Sequence, residues 1–155
     1  EPESSEMGMN DLIYLQKLYD AGFANYYDIL SVHSYGLSFA PEDSPAPDAL
    51  NFRRVELVRE IMIKNGESKK KMMITEGGWN DSPRWTRAVK PALRAEYTVQ
   101  GYDWAEKNWD YVMATCMWAF RFPAPLYTYG DYYAFVTPDF TPRAVYDVVK
   151  KWTGN

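Results

Sequence analysis

The sequence is poor in the residues that build metal and disulfide chemistry. Cys116 is the sole cysteine, which excludes an internal disulfide and leaves the redox compartment unmarked. His33 is the sole histidine, which argues against a metal site built from imidazoles. Basic charge is also short: 17 Lys and Arg stand against 21 Asp and Glu, a formal net charge of −4 that offers no positive field to nucleic acid. No apolar run approaches the roughly 18 residues of a membrane-spanning helix. The opening residues, Glu1-Pro2-Glu3-Ser4-Ser5-Glu6, have neither the basic nor the apolar region of a signal peptide, although a leader could stand upstream if the chain is a piece of a longer protein. Neither nucleic acid nor a membrane is expected as a partner.

Apolar residues make up 46 % of the 155, enough to bury a core, and residues 1–155 are expected to form a single domain. Aromatic residues reach 17 %, with six Trp and thirteen Tyr. Most such rings pack in cores, but exposed Trp and Tyr also present flat apolar faces edged by a hydrogen-bonding group, which suit sugar rings.

Three apolar segments, 28–33, 71–76 and 114–120, read as short strands buried on both faces, each opening into a loop with Gly or Pro. Four amphipathic stretches separate and flank them. The first runs from Asn10 to Ala21 with Gly22 as its stop, the second from Asn51 to Lys64, and the third from about Pro91 to Lys107. The fourth begins at Thr141-Pro142, with Thr as the expected cap. The order α-β-α-β-α-β-α is that of parallel βαβ units. Long segments follow the strands and short ones precede them, the asymmetry of a barrel whose site sits at the C-terminal strand ends.

Glu76 is the most informative residue. Ile74-Thr75-Glu76-Gly77-Gly78-Trp79 ends an apolar strand in a carboxylate, and desolvating that charge costs several kcal/mol unless it is hydrogen-bonded or functional. This segment resembles the strand-seven motif of clan A glycoside hydrolases, the group holding the family 5 cellulases and family 39 xylosidases. Ser31-Val32-His33-Ser34-Tyr35-Gly36 is similar to the strand-six motif of that clan, and Met117-Trp118-Ala119-Phe120 to strand eight. The resemblance implies an α/β fold, a partial TIM (β/α)8 barrel running from helix five through helix eight around strands six, seven and eight. It makes Glu76 the catalytic nucleophile and Tyr35 the donor to its carboxylate. His33 lies near the reacting sugar in this reading, Trp118 stacks beneath it and Trp79 lines the cleft beside it. Trp85, Arg84, Tyr127, Tyr129, Asp131 and Tyr132 are loop candidates for outer subsites.

Retaining hydrolysis needs a second carboxyl group about 5 to 5.5 Å from the nucleophile. In the clan it follows an Asn, and no Asn-Glu pair occurs in this chain. The expectation is therefore the nucleophile half of a barrel without its acid/base, needing no metal or cofactor. It would act on an oligo- or polysaccharide, and would pair with a missing N-terminal half-barrel or with itself through exposed edges. Two other readings compete. One is a non-catalytic carbohydrate-binding module using Trp79, Trp118 and the loop tyrosines as platforms; the other is a flavodoxin-like nucleotide domain, against which stands the lack of a Gly-rich phosphate loop after any strand. Asn80-Asp81-Ser82 also fits the glycosylation sequon, with Pro83 following.

Overall fold

The computed structural model describes residues 8–123 and 129–154. The chain runs through α1 (Asp11–Asp20), β1 (Ile29–Tyr35), α2 (Val55–Lys64), β2 (Lys71–Gly78), α3 (Pro91–Asn108), β3 (Val112–Thr115) and α4 (Ala144–Trp152). Asn10 starts α1 by accepting from the amides of Leu12 and Ile13 at 2.9 and 3.2 Å, and Pro91 occupies the first turn of α3, where its missing N–H costs nothing.

The three strands form one parallel sheet in the order β1-β2-β3, with α2 and α3 as the crossovers. β1 pairs with β2 from Ile29 opposite Lys71 to Tyr35 opposite Gly78. The register slips between Val32 and His33: Val32 faces Ile74, but His33 faces Glu76. Thr75 is thus the extra residue of a bulge, a device that re-aims the side chain after it. Here that side chain is Glu76.

Leu15 and Tyr19 of α1, Val58 and Met62 of α2, and Ala105 of α3 pack with Met72 and Ile74 of β2, and Phe52, Trp79 and Trp109 complete the core. All of this lies on one face of the sheet. The other face carries Ile29, Ser31, His33, Thr75 and Met113, which are exposed, and Ser31 Oγ and Thr75 Oγ1 share a hydrogen bond of 2.7 Å across it. The expectation of strands buried on both faces is therefore corrected. Side chains alternate along a strand, and in a (β/α)8 arc the inward set is covered only by the other strands of the barrel. A flavodoxin-like domain would need helices over both faces, which is not the arrangement adopted.

Two boundaries also differ from the sequence reading. β3 is short and early, at Val112–Thr115, and the chain beyond it stays beside β2 through the bonds Cys116 N to Ile74 O (2.7 Å) and Trp118 N to Gly77 O (2.8 Å). α4 begins at Ala144 instead of Thr141-Pro142, because Pro142 is taken up in a bridge with Val136 and Thr141 closes a turn with Thr137. Along the edge of β1 lies an apolar groove of about 500 Å³, lined by Leu15, Leu18, Leu30, Val32 and Val58 among others.

Candidate functional site

The C-terminal ends of β1 and β2 bring three of the expected residues together. Tyr35 donates its hydroxyl to Glu76 Oε2 at 2.7 Å, and His33 Nδ1 lies 3.2 Å from the same oxygen. The bulge at Thr75 makes this possible, since it sets Glu76 opposite His33 on the neighbouring strand. The Glu76 side chain is 29 % exposed and that of His33 58 %, so the carboxylate is partly sheltered and the imidazole open. Burial, followed by the hydrogen bond to the Glu76 carboxylate, pushes the Tyr35 phenol well above its usual range, and Tyr35 stays a donor at neutral pH.

Trp118 follows β3 and stands 37 % exposed. It shares a hollow of about 400 Å³ with Tyr35, Leu37, Phe122, Tyr129, Gly130 and Tyr133. Tyr35 belongs both to this hollow and to the Glu76 cluster, so the aromatic wall and the carboxylate adjoin. Phe122 meets the Trp118 ring edge-on at 6.5 Å, leaving an indole face for a flat apolar ligand. Among the described residues no group of three or more His, Cys, Asp or Glu side chains is placed to hold a metal ion.

No protein-family model and no curated protein matches the sequence. Solved structures do match. A family 39 glycoside hydrolase from the gut symbiont Bacteroides cellulosilyticus aligns with a TM-score of 0.65 at 20 % identity, over 86 % of this chain and 28 % of that one. Beta-glucuronidase of Ruminococcus gnavus aligns at 0.51 and 16 % identity, over 83 % of this chain and 22 % of that one. Beta-glucuronidase of Bifidobacterium dentium aligns at 0.51 and 15 %, over 82 % and 21 %. The chain has the fold of part of a glycoside hydrolase barrel. It spans between 21 % and 28 % of the length of these structures. At such identities the likeness is one of fold, and the roles of individual side chains rest on geometry.

Within that partial barrel, Trp79 is not at the cleft. It is 1 % exposed, its Nε1 donates to Phe39 O at 2.8 Å, and its ring packs on Phe52 at 5.2 Å and Tyr97 at 5.9 Å. Gly78, at φ 111°, turns the chain after β2 so that the indole enters the layer between sheet and helices. Gly36 makes room for it: a Cβ there would lie 1.9 Å from Nε1. The expectation that Trp79 lines the cleft is therefore corrected, and a carbohydrate-binding module would lose this ring from its platforms.

The loop candidates divide in the same way. Tyr129 is 52 % exposed, Trp85 packs edge-on against it at 4.7 Å, and Trp85 and Tyr132 line a separate cleft of about 570 Å³. Arg84 is exposed and lines none of these clefts. Asp131 is 3 % exposed and holds Arg143 at 2.7 Å, so it is an internal support instead of an outer subsite. Tyr127 lies outside the described residues. Asn80 is fully buried and donates to Tyr129 O at 3.0 Å, which removes the sequon as a surface acceptor. Tyr133 and Arg94, which adjoin or support the cluster, were not singled out by sequence; a buried Arg on a helix gives no periodic signal.

Proposed function

We propose that Glu76 is the nucleophile of a retaining β-glycosidase site, and that this chain supplies the nucleophile side of a barrel whose acid/base residue lies outside it. The observation that carries the reading is the 2.7 Å bond from Tyr35 to a carboxylate at the tip of a parallel strand. Tyr35 and His33 both address Oε2, which leaves Oε1 to attack. The Oε1 to anomeric carbon bond forms as the bond to the leaving oxygen breaks, and the second carboxylic acid gives that oxygen its proton. Water then attacks the anomeric carbon, losing its proton to the same second carboxylate as the bond to Glu76 Oε1 breaks and the carboxylate is restored, and the sugar leaves with its configuration retained. Trp118 stacks on the sugar, and His33 bonds its hydroxyls or the carboxylate. The substrate is a β-linked oligo- or polysaccharide, and neither metal nor organic cofactor is required.

The open sheet face bearing Ile29 and Met113, and the groove along β1, would be covered by the complementary half of the barrel or by a second copy of this chain. The functional test is trapping. A dinitrophenyl 2-deoxy-2-fluoro-β-glycoside needs no acid assistance to lose its leaving group, so it reports on the nucleophile alone. Incubated with the parent polypeptide that carries this sequence, it should leave one glycosyl mass on the peptide containing Glu76. No adduct from a panel of such sugars, under conditions where the parent binds glycosides, would refute the assignment.

A further inference from the structure

The segment 129–134 walls the Glu76 cluster without belonging to any strand of the sheet. It is a 3-10 helix, Tyr129–Tyr133, in the long connection between β3 and α4, and it stands outside the ladder of the sheet. Hydrogen bonds from the loop after β2 and from α3 hold it. Asn80 Nδ2 donates to Tyr129 O at 3.0 Å, and Asp81 N reaches Tyr132 O at 3.4 Å. Arg94 Nη2 donates to Tyr133 O and, at 2.8 Å, to Ala134 O. Arg94 Nη1 lies 3.2 Å from Asp81 Oδ2. The guanidinium is 2 % exposed, so it meets its desolvation cost only because these acceptors are in place. Asp81 stands on the loop that continues from Glu76 and β2, so one buried cation joins the two loops that flank the carboxylate.

The held segment has one consequence for the site. Tyr133, 4 % exposed, sets its ring edge-on to Tyr35 with centroids 5.3 Å apart at 64°, and its hydroxyl meets that of Tyr129 at 3.3 Å. Tyr35 is the residue whose hydroxyl is on Glu76. We infer that Arg94, on α3, is a positioning residue for Glu76: by clasping the carbonyls of Tyr133 and Ala134 it keeps the Tyr133 ring against Tyr35, and so keeps the Tyr35 hydroxyl on the carboxylate. This rests on Glu76 being the nucleophile for its catalytic meaning, but its geometric content can be tested without that.

Two variants test it. Tyr133→Leu removes the ring; Arg94→Met combined with Asp81→Asn removes the clasp without leaving a lone buried charge. The first readout is the titration of Tyr35 followed by NMR of the phenolic carbon in tyrosine-labelled chain. Tyr111, whose phenol is also pushed up by burial and which packs under Arg59 at 4.8 Å, away from the cluster, is the internal control. Both variants should bring the Tyr35 titration down toward the ordinary value of about 10 and leave Tyr111 where it was. The second readout is the rate of Glu76 trapping in the parent polypeptide, which should fall by roughly tenfold to a hundredfold with little change in sugar affinity. An unmoved Tyr35 in a folded variant overturns the inference, and so does a joint fall of Tyr35 and Tyr111, which would mark general loosening. If the unmutated parent traps no sugar, the functional reading fails and the Tyr35 titration alone decides the clasp. If the double variant does not fold, Tyr133→Leu decides it.

Discussion

Tyr35→Phe isolates the contact on which the functional proposal stands. The substitution deletes one oxygen and keeps the ring, so the edge contact with Tyr133 at 5.3 Å is retained and the fold should lose less than about 1 kcal/mol. The lost bond is short, at 2.7 Å, and its acceptor is a carboxylate. Hydrogen bonds to charged groups contribute about 1.5 to 3 kcal/mol. Because the Glu76 side chain is 29 % exposed and water can take up the freed lone pair, the lower end applies, about 1.5 kcal/mol. At about 1.36 kcal/mol per decade, the expected loss is about tenfold in the rate of glycosyl transfer to Glu76. The assay is the time course of fluoroglycoside trapping by intact-mass spectrometry on the parent polypeptide, with circular dichroism confirming the fold. A trapping rate within twofold of the unmutated protein would show that the phenol does not orient the carboxylate, and the argument from this hydrogen bond would fall.

Other outcomes follow from the packing and the titrations. Trp79→Ala should destabilise the chain by about 3 to 5 kcal/mol in urea unfolding, since the indole is 1 % exposed, whereas Trp118→Ala, at 37 % exposure, should cost far less and instead weaken binding of glycosides to the parent. Gly36→Ala should destabilise too, by forcing its methyl group into the Trp79 ring, and the emission of that tryptophan should shift red as it is displaced. The phenols of Tyr27, Tyr35, Tyr111 and Tyr133 are all pushed up by burial from an ordinary value of 10.0. The unfolded chain therefore loses these protons first. Their contribution is fully present below pH 10.0 and is lost as pH rises above it toward the raised folded-state values, so unfolding free energy should be level approaching that pH and fall beyond it; an unchanged urea midpoint between about pH 9 and about 11 would contradict this. Sedimentation of the isolated chain should find it self-associated through its open sheet face, and a strictly monomeric chain at all concentrations would count against that face being sticky.

The sequence by itself determined the element order, the parallel strands and the carboxylate at the tip of one of them. Those are local properties: apolar runs of strand length, Asn10 as a helix cap, and a carboxylate placed where a strand must stop at Gly77-Gly78. The pairing of Tyr35 with Glu76 was legible only through the motif resemblance, because the two stand 41 residues apart and composition says nothing of their meeting. Tertiary structure decided the direction each aromatic ring takes. Trp79 and Trp118 look alike in sequence, each near the end of a strand, yet one fills the space left by Gly36 and the other faces a hollow. That choice depends on the turn at Gly78 and on volume supplied by α2 and α3, both non-local. The bulge at Thr75 and the capture of the Tyr133 and Ala134 carbonyls by Arg94 were equally invisible, because register and buried polar partners are set by what packs across the sheet. The sequence names which groups can do chemistry; packing decides which of them face the ligand and which hold the others in place.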